Sequence, residues 1–290
     1  MRKRKIITGM LFLMPAMLLH FVLTIYPVIS SFYYSLTSWD GVNTPVFVGF
    51  RNFMELYQDK SLTRSIYNTF FIAFLSIVLN NPLCLLLAIA LDRQIKMRNV
   101  LRTAFYIPAI MSPVVISIIW ANMLQYDGVL NSILKLIKLD FLALNWLGSM
   151  NFAIYTVIFV MIWSGTGFGA VIYLAGLQSI PTEIYESAKL DGAKGWVKFR
   201  NVTLPLIMPV VTINVFIGLV SSLKLFDIPF VLTHGGPGDA SSTISLMIYK
   251  FAFEYDKKGY ATAAGIVFLA IIAIITFIQV RFTRKREIEL

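Results

Sequence analysis

Six long stretches of the chain are almost wholly apolar, and the polar residues collect between them. The stretches cover residues 6–32, 68–91, 102–124, 152–177, 204–232 and 261–282. A helix needs about 20 mostly apolar residues to cross the hydrocarbon of a bilayer. The pattern therefore predicts an all-α membrane protein with six transmembrane helices. The first stretch follows a basic start, MRKRK, as a signal peptide would. It continues to about Val28 without a small-x-small cleavage site, so it reads as an uncleaved first span.

Composition agrees with the pattern. Of the 290 residues, 58% are hydrophobic and only 14% are charged, about half the share of a soluble domain. The net charge of +10 does not point to nucleic acid, because the basic residues sit in short clusters between apolar runs. Six spans place both termini on one side. The two tails, the connection near Arg93 to Arg102 and the connection near Lys189 to Arg200 hold sixteen of the 25 basic residues. The other side holds eight, and Lys224 lies within the fifth span. Basic loops stay in the cytoplasm, so both termini are expected there. The single cysteine, Cys84, lies in an apolar run and reads as a packing residue.

One connection is unlike the others. Residues 185–205, YESAKLDGAKGWVKFRNVTLP, carry six charges. Ser179 is a candidate N-cap, Pro181 suits a first turn and Glu183 favours the positive end of a helix. That helix is expected to run to about Leu190, where Gly192 supplies a left-handed end. A second short helix is expected over residues 196–202, leading to Leu204-Pro205. Ile184, Tyr185, Trp196 and Phe199 are mixed with the charges, and small residues stand at Ala188, Gly192 and Ala193. Aromatics in a cytoplasmic loop and small residues that admit a close backbone favour a docking element over a solvated loop.

Catalytic constellations are missing. The two histidines, His20 and His234, form no zinc spacing with Cys84, and no GxxxxGK[ST] phosphate loop exists. GTGFG at 165–169 lies inside an apolar span, where Gly165 and Gly169 suit close helix packing better than nucleotide binding. No metal site and no cofactor are expected in this chain. If ATP is used, another chain binds it.

The polar segment resembles the EAA motif of the permeases of binding-protein-dependent ABC importers. The matching residues are Glu186-Ser187-Ala188, Asp191-Gly192-Ala193, Phe199 and Leu204-Pro205, with Ser187 where the family usually has alanine. Asn68-Thr69, YIPAIMSPVVISIIWANML at 106–124 and LTHGGPGDASSTISLMIYKFAFEY at 232–255 resemble the sugar-permease branch, the maltose-type and glycerol-phosphate-type group. The resemblance implies the type I ABC importer permease fold. It divides the chain into residues 1–67 (tail, first helix and first outer loop), a transmembrane domain over 68–282 with its EAA loop at 181–205, and a tail over 283–290. It also implies a second permease subunit, two ATPase subunits carrying ATP and Mg, an extracytoplasmic solute-binding protein, and a cytoplasmic membrane of a bacterium or archaeon. Tyr185, Glu186, Ser187, Ala188, Asp191, Gly192, Ala193, Phe199, Leu204 and Pro205 are then the ATPase-coupling residues. Gly235, Gly236, Pro237 and Gly238 are expected to face the binding protein.

The substrate path should be lined by polar and aromatic groups within the membrane. Lys224 and Asp227, three apart, are expected on one face of the fifth span, as an ion pair or as substrate contacts. Asn214, Ser221 and Ser222 bond either sugar hydroxyls or a neighbouring helix, and Trp120 either stacks on a sugar or packs. Pro205 and Pro209 stand where a coupling lever would join the membrane. The rival reading is an ion-coupled secondary transporter, which would show repeats and membrane acids; neither is evident.

Overall fold

The computed structural model describes residues 2–93 and 96–284. The calls made on the tail beyond residue 284 fall outside them. In chain order the helices are α1 (Arg2–His20), α2 (Tyr26–Ser35), α3 (Arg51–Gln58), α4 (Lys60–Leu75), α5 (Asn81–Asp92), α6 (Arg98–Ile110), α7 (Pro113–Leu124) and α8 (Val129–Leu136). They continue with α9 (Ala153–Gln178), α10 (Thr182–Leu190), α11 (Gly195–Lys198), α12 (Leu204–Leu206), α13 (Met208–Leu223), α14 (Asp227–Thr233), α15 (Ile244–Tyr249) and α16 (Lys258–Arg284). Single π turns at Phe21–Ile25 and Ser76–Asn80 join α1 to α2 and α4 to α5.

Among the described residues, five helical segments are long and apolar enough to span a membrane: Phe12–Ser35, Lys60–Asp92, Pro113–Leu136, Ala153–Gln178 and Lys258–Thr283. A sixth is the pair Gly195–Leu206 and Met208–Leu223, bent by 70°. The all-α membrane architecture stands, but two predicted spans are not continuous. The third apolar run breaks between α6 and α7, where Met111 and Ser112 have ψ of 149° and 132°. Proline at 113 forces this, because its ring excludes the helical conformation at the residue before it. The fifth run breaks at residues 224–226, between α13 and α14. Pro229 would clash with the Leu225 carbonyl in a continuous helix. The Thr243 hydroxyl donates to that carbonyl at 2.6 Å instead.

The chain forms two compact units. The first comprises residues 1–59 and 248–270. Here a short antiparallel pair, β1 (Thr37–Ser38) and β2 (Val46–Phe47), follows α2. Buried Asn52 on α3 donates both amide hydrogens, to the carbonyls of Ser35 and Thr37 at 2.8 and 2.9 Å. Tyr260 donates to Asp59 Oδ2 at 2.9 Å. Asp40 accepts from the amides of Val42 and Asn43 at 2.9 Å; these bonds lower its pKa to about 2.

The second unit, residues 60–247 and 271–290, is built around α9, with α5, α6, α7 and α13 packed along it. Glycines make this possible. A Cβ at Gly167 would collide with the Phe105 carbonyl, one at Gly169 would lie 2.5 Å from Cys84 Sγ, and one at Gly176 2.5 Å from Val210. Two apolar clusters sit at the two ends of α9. One joins Ile72, Ile116, Leu124, Val157, Val160 and Ile228. The other joins Cys84, Ala88, Tyr173, Leu174, Ile180 and Ile207.

A polar cavity and a cap-stabilised arm

Between the two clusters lies a cavity of about 310 Å³. Its polar lining is Ser76, Asn80, Asn81, Ser164, Asn214 and Ser221, with no ionisable side chain, and Met111, Ile116, Met161, Phe168 and Leu225 supply apolar surface. The π turn at Ser76–Asn80 delivers the two adjacent asparagines; such an inserted residue shifts the register of the following helix. Asn80 Oδ1 lies 2.9 Å from the Thr166 hydroxyl and accepts from the Cys84 thiol at 3.4 Å. Asn81 Oδ1 accepts from the Tyr173 hydroxyl at 3.0 Å. Asn214 is buried and lies against Gly169. A Cβ at Gly165 would lie 3.6 Å from the Asn80 amide, and Gly165 forms part of the cavity wall.

Of the expected path residues, Asn214 and Ser221 line this cavity and the others do not. Ser222 is fully buried and donates to the Gly218 carbonyl of its own helix at 2.6 Å. Trp120 packs edge-on against Phe159 and Trp163, with centroids 5.0 and 5.3 Å away, beside the first apolar cluster. Lys224 and Asp227 share no helix face. Lys224 is the C-cap of α13, Asp227 opens α14, and both are exposed. Asn80, Asn81 and Tyr173 were missed from the sequence, where the pair Asn-Asn before a proline reads only as a helix start.

At the Gln178 end of α9, residues 181–205 form the expected two arms. The N-cap of α10 is Pro181 rather than Ser179, whose hydroxyl bonds back to Gly176. The helix ends in a Schellman motif: Ala193 N–H donates to Ala188 O at 2.9 Å and Gly192 N–H to Lys189 O at 3.2 Å, with Gly192 at φ +82°. No atom crowds a Cβ at Gly192, so its backbone angle alone calls for glycine. The second arm is one helical run, Gly195–Leu206, in which α11 passes into a π turn at Phe199–Thr203, so it covers the expected 196–202. Ile184, Tyr185 and Leu204 pack against the second apolar cluster, and Ala188 is buried. Lys198 Nζ sits 4.9 Å from the Tyr185 ring centroid. Glu186, Ser187 and Asp191 are exposed, Phe199 and Pro205 half-buried. Leu190 is 89% and Trp196 69% exposed. These apolar side chains stand uncovered on a well-capped arm.

At the other end of α9, the GGPG turn is held tightly. His234, Gly235 and Gly238 have φ of 51°, 78° and 53°. Asn68 donates to the carbonyls of Asp239 and Ser242 at 2.9 and 3.0 Å, and the Thr69 hydroxyl accepts from Ile244 N–H at 2.9 Å. The hydroxyls of Thr233 and Ser241 lie 2.7 Å apart. Gly235 is buried, whereas Gly238 is exposed and Gly236 and Pro237 partly so.

Comparison with known proteins identifies the family. The chain is 39% identical over 280 residues, 97% of its length and 95% of the other's, to the probable starch degradation products transport system permease protein AmyD of Thermoanaerobacterium thermosulfurigenes. It is 32% identical over 281 residues, 97% of this chain and 96% of the relative, to the multiple sugar-binding transport system permease protein MsmF of Streptococcus mutans. A chain from the crystal structure of a bacterial ABC transporter involved in the import of the acidic polysaccharide alginate superimposes with a TM-score of 0.85, at 27% identity, covering 98% of this chain and 99% of that one. A chain of the alginate transporter in complex with its alginate pentasaccharide-bound periplasmic protein gives 0.84, at 26% identity, covering 98% and 96%. Residues 80–288 match the model of the binding-protein-dependent transport system inner membrane component family. The chain belongs to that family: it is a membrane permease component of a binding-protein-dependent transport system, and its part is transport rather than catalysis.

Proposed function

We propose that this chain is one permease of an ATP-driven sugar importer, paired with a second permease, and that the cavity walled by Asn80, Asn81, Asn214 and Ser221 is its half of the sugar path. The observation that carries the proposal is the cavity's lining: amides and hydroxyls with no charge. Such groups hydrogen-bond uncharged hydroxyls without the desolvation cost of a buried ion. Uncharged saccharides fit it better than glycerol phosphates. The relatives named for starch products and multiple sugars support this reading.

The exposed surface of α10 and α11, with Leu190 and Trp196 at its centre, seats on an ATPase subunit, and two such subunits carry ATP and Mg for the paired permeases. The capped arm then moves as a rigid body when the ATPases close. The basic clusters support a cytoplasmic side for this arm and both termini. The GGPG turn faces the extracytoplasmic binding protein on the other side.

The test is reconstitution of the complete importer in vesicles with its binding protein. Sugar uptake should require ATP, survive collapse of ion gradients, and fall at least about tenfold in Asn214→Leu, an effect of about 1.4 kcal/mol, while the complex still assembles. Uptake that follows an ion gradient, or full transport by Asn214→Leu, overturns the reading. Co-purification with the ATPase, lost in Leu190→Asp, tests the docking separately.

A further inference from the structure

From the geometry of α8 we infer a second role for this chain's polar connections: α8 and the turn after it are a lipid anchor, lying in the headgroup boundary of the leaflet at the Ala153 end of α9. The helix has three faces. Its inner face is fixed by Asn131, which is fully buried, donates to the carbonyls of Tyr126 and Leu144 at 3.0 and 2.9 Å and accepts from the Trp146 indole at 2.9 Å. A second face carries Ser132 and Lys135. The third is an apolar stripe of Val129, Ile133, Leu136 and Ile137, spaced along one side of the helix and continued by Phe141. Leu136 is 82% and Phe141 76% exposed. Because Asn131 locks the rotation of α8, the stripe cannot turn inward to be buried.

Three observations choose lipid as the occupant. First, the stripe continues a span: α7 and α8 together read as one apolar membrane segment, Pro113–Leu136. Leu124 and Val129 are joined by a turn closed by Gly128 N–H to Gln125 O, and five residue steps reach at most about 18 Å. The short turn keeps the start of α8 close to the end of α7. Second, Lys135, whose Nζ lies 5.1 Å from the Tyr126 ring centroid, and Lys138 form no salt bridge among the described residues; their ammonium groups complement lipid phosphates. Third, exposed Tyr126 and half-buried Trp146 lie in the same connection, and Tyr and Trp favour the headgroup level. A binding protein that comes and goes would leave the stripe in water between visits. Lipid covers it permanently, with the apolar face about 5–10 Å below the headgroups.

The test uses the complete importer in phosphatidylcholine vesicles, with and without phosphatidylglycerol. A single fluorescent cysteine reporter is placed at Leu136→Cys, Ile133→Cys or Ser132→Cys, with buried Cys84 left in place. Nitroxides near the lipid headgroups should quench the reporters at 136 and 133 more than at 132, and aqueous iodide should show the reverse order. Anionic lipid should increase the lipid quenching at 136, and Lys135→Gln with Lys138→Gln should cancel that increase. Iodide quenching at 136 equal to that at 132 places the stripe in water and overturns the proposal. A reporter at 136 reached by neither quencher shows a protein chain on the stripe and also overturns it. Uptake is measured on the same vesicles, so a failed transport reading and a failed anchor are told apart.

Discussion

The Tyr173 hydroxyl donates to Asn81 Oδ1 across 3.0 Å, joining two helices from residues 92 apart in the chain. Tyr173 belongs to the apolar cluster at the α10 end of α9, whereas Asn81 lines the polar cavity. One bond thus ties the cluster that supports α10 to the wall of the cavity.

Tyr173→Phe keeps the shape but leaves the Asn81 carbonyl short of its donor, at a cost of about 1–3 kcal/mol. The variant should unfold at a lower temperature in detergent. Asn81→Leu in the same background should recover part of the loss. A double-mutant cycle in which the two changes simply add would show that the bond carries no coupling.

Gly192→Pro should insert into the membrane at the normal level but lose transport and ATPase co-purification. Proline requires φ near −65°, against the +82° observed. It also removes the N–H that closes the helix on Lys189. Gly192→Ala keeps that N–H and should lose about 1 kcal/mol of local stability, with reduced rather than absent uptake. Normal uptake by the proline variant refutes the rigid arm.

Asn68→Ala removes both donors that hold the turn after the GGPG sequence. The Asp239 and Ser242 carbonyls then lose their bonds, and residues 236–243 should exchange amide hydrogens faster by tenfold or more, about 1.4 kcal/mol. Hydrogen-exchange mass spectrometry reads this directly. Unchanged protection over that segment would mean that the hydroxyls of Thr233 and Ser241 suffice.

Gly169→Ala should lower the yield of folded protein, because its Cβ would meet Cys84 Sγ at 2.5 Å and the Asn214 amide at 3.1 Å. Cys84→Ala should restore part of that yield, measured by size-exclusion chromatography. No restoration would assign the defect to Asn214.

The two-armed structure of residues 181–205 was legible in the sequence because its logic is local. A left-handed glycine, a helix before it and a proline after it lie within 25 residues. The cavity was only half legible. Asn214 and Ser221 stand out as polar residues in a span, but the π turn that brings in Asn80 and Asn81 leaves no mark in the hydrophobic pattern. The pairing of Lys224 with Asp227 failed for a reason that was visible. Pro229 forbids a helix running through Leu225, so a spacing of three does not mean a shared face there. Asn52, Asn68 and Asn131 show the wider limit. Each spends both amide hydrogens on two backbone carbonyls of a loop. Nothing in the local sequence of a lone asparagine announces distant carbonyls as its partners.

The 70° bend falls at Ile207, between Pro205 and Pro209. Ile207 is wholly buried in the cluster with Tyr173 and Ile180. On the proposed function, this buried joint would act as a fulcrum. From Ile207 to Asn214 is seven residues, about 10 Å along the α13 axis. A tilt of about 10° about that point would carry the Asn214 amide roughly 2 Å sideways, close to the difference between a hydrogen bond made and one broken. On the proposed function, a small rocking of the arm would thereby be geared to a grip on the cavity's contents.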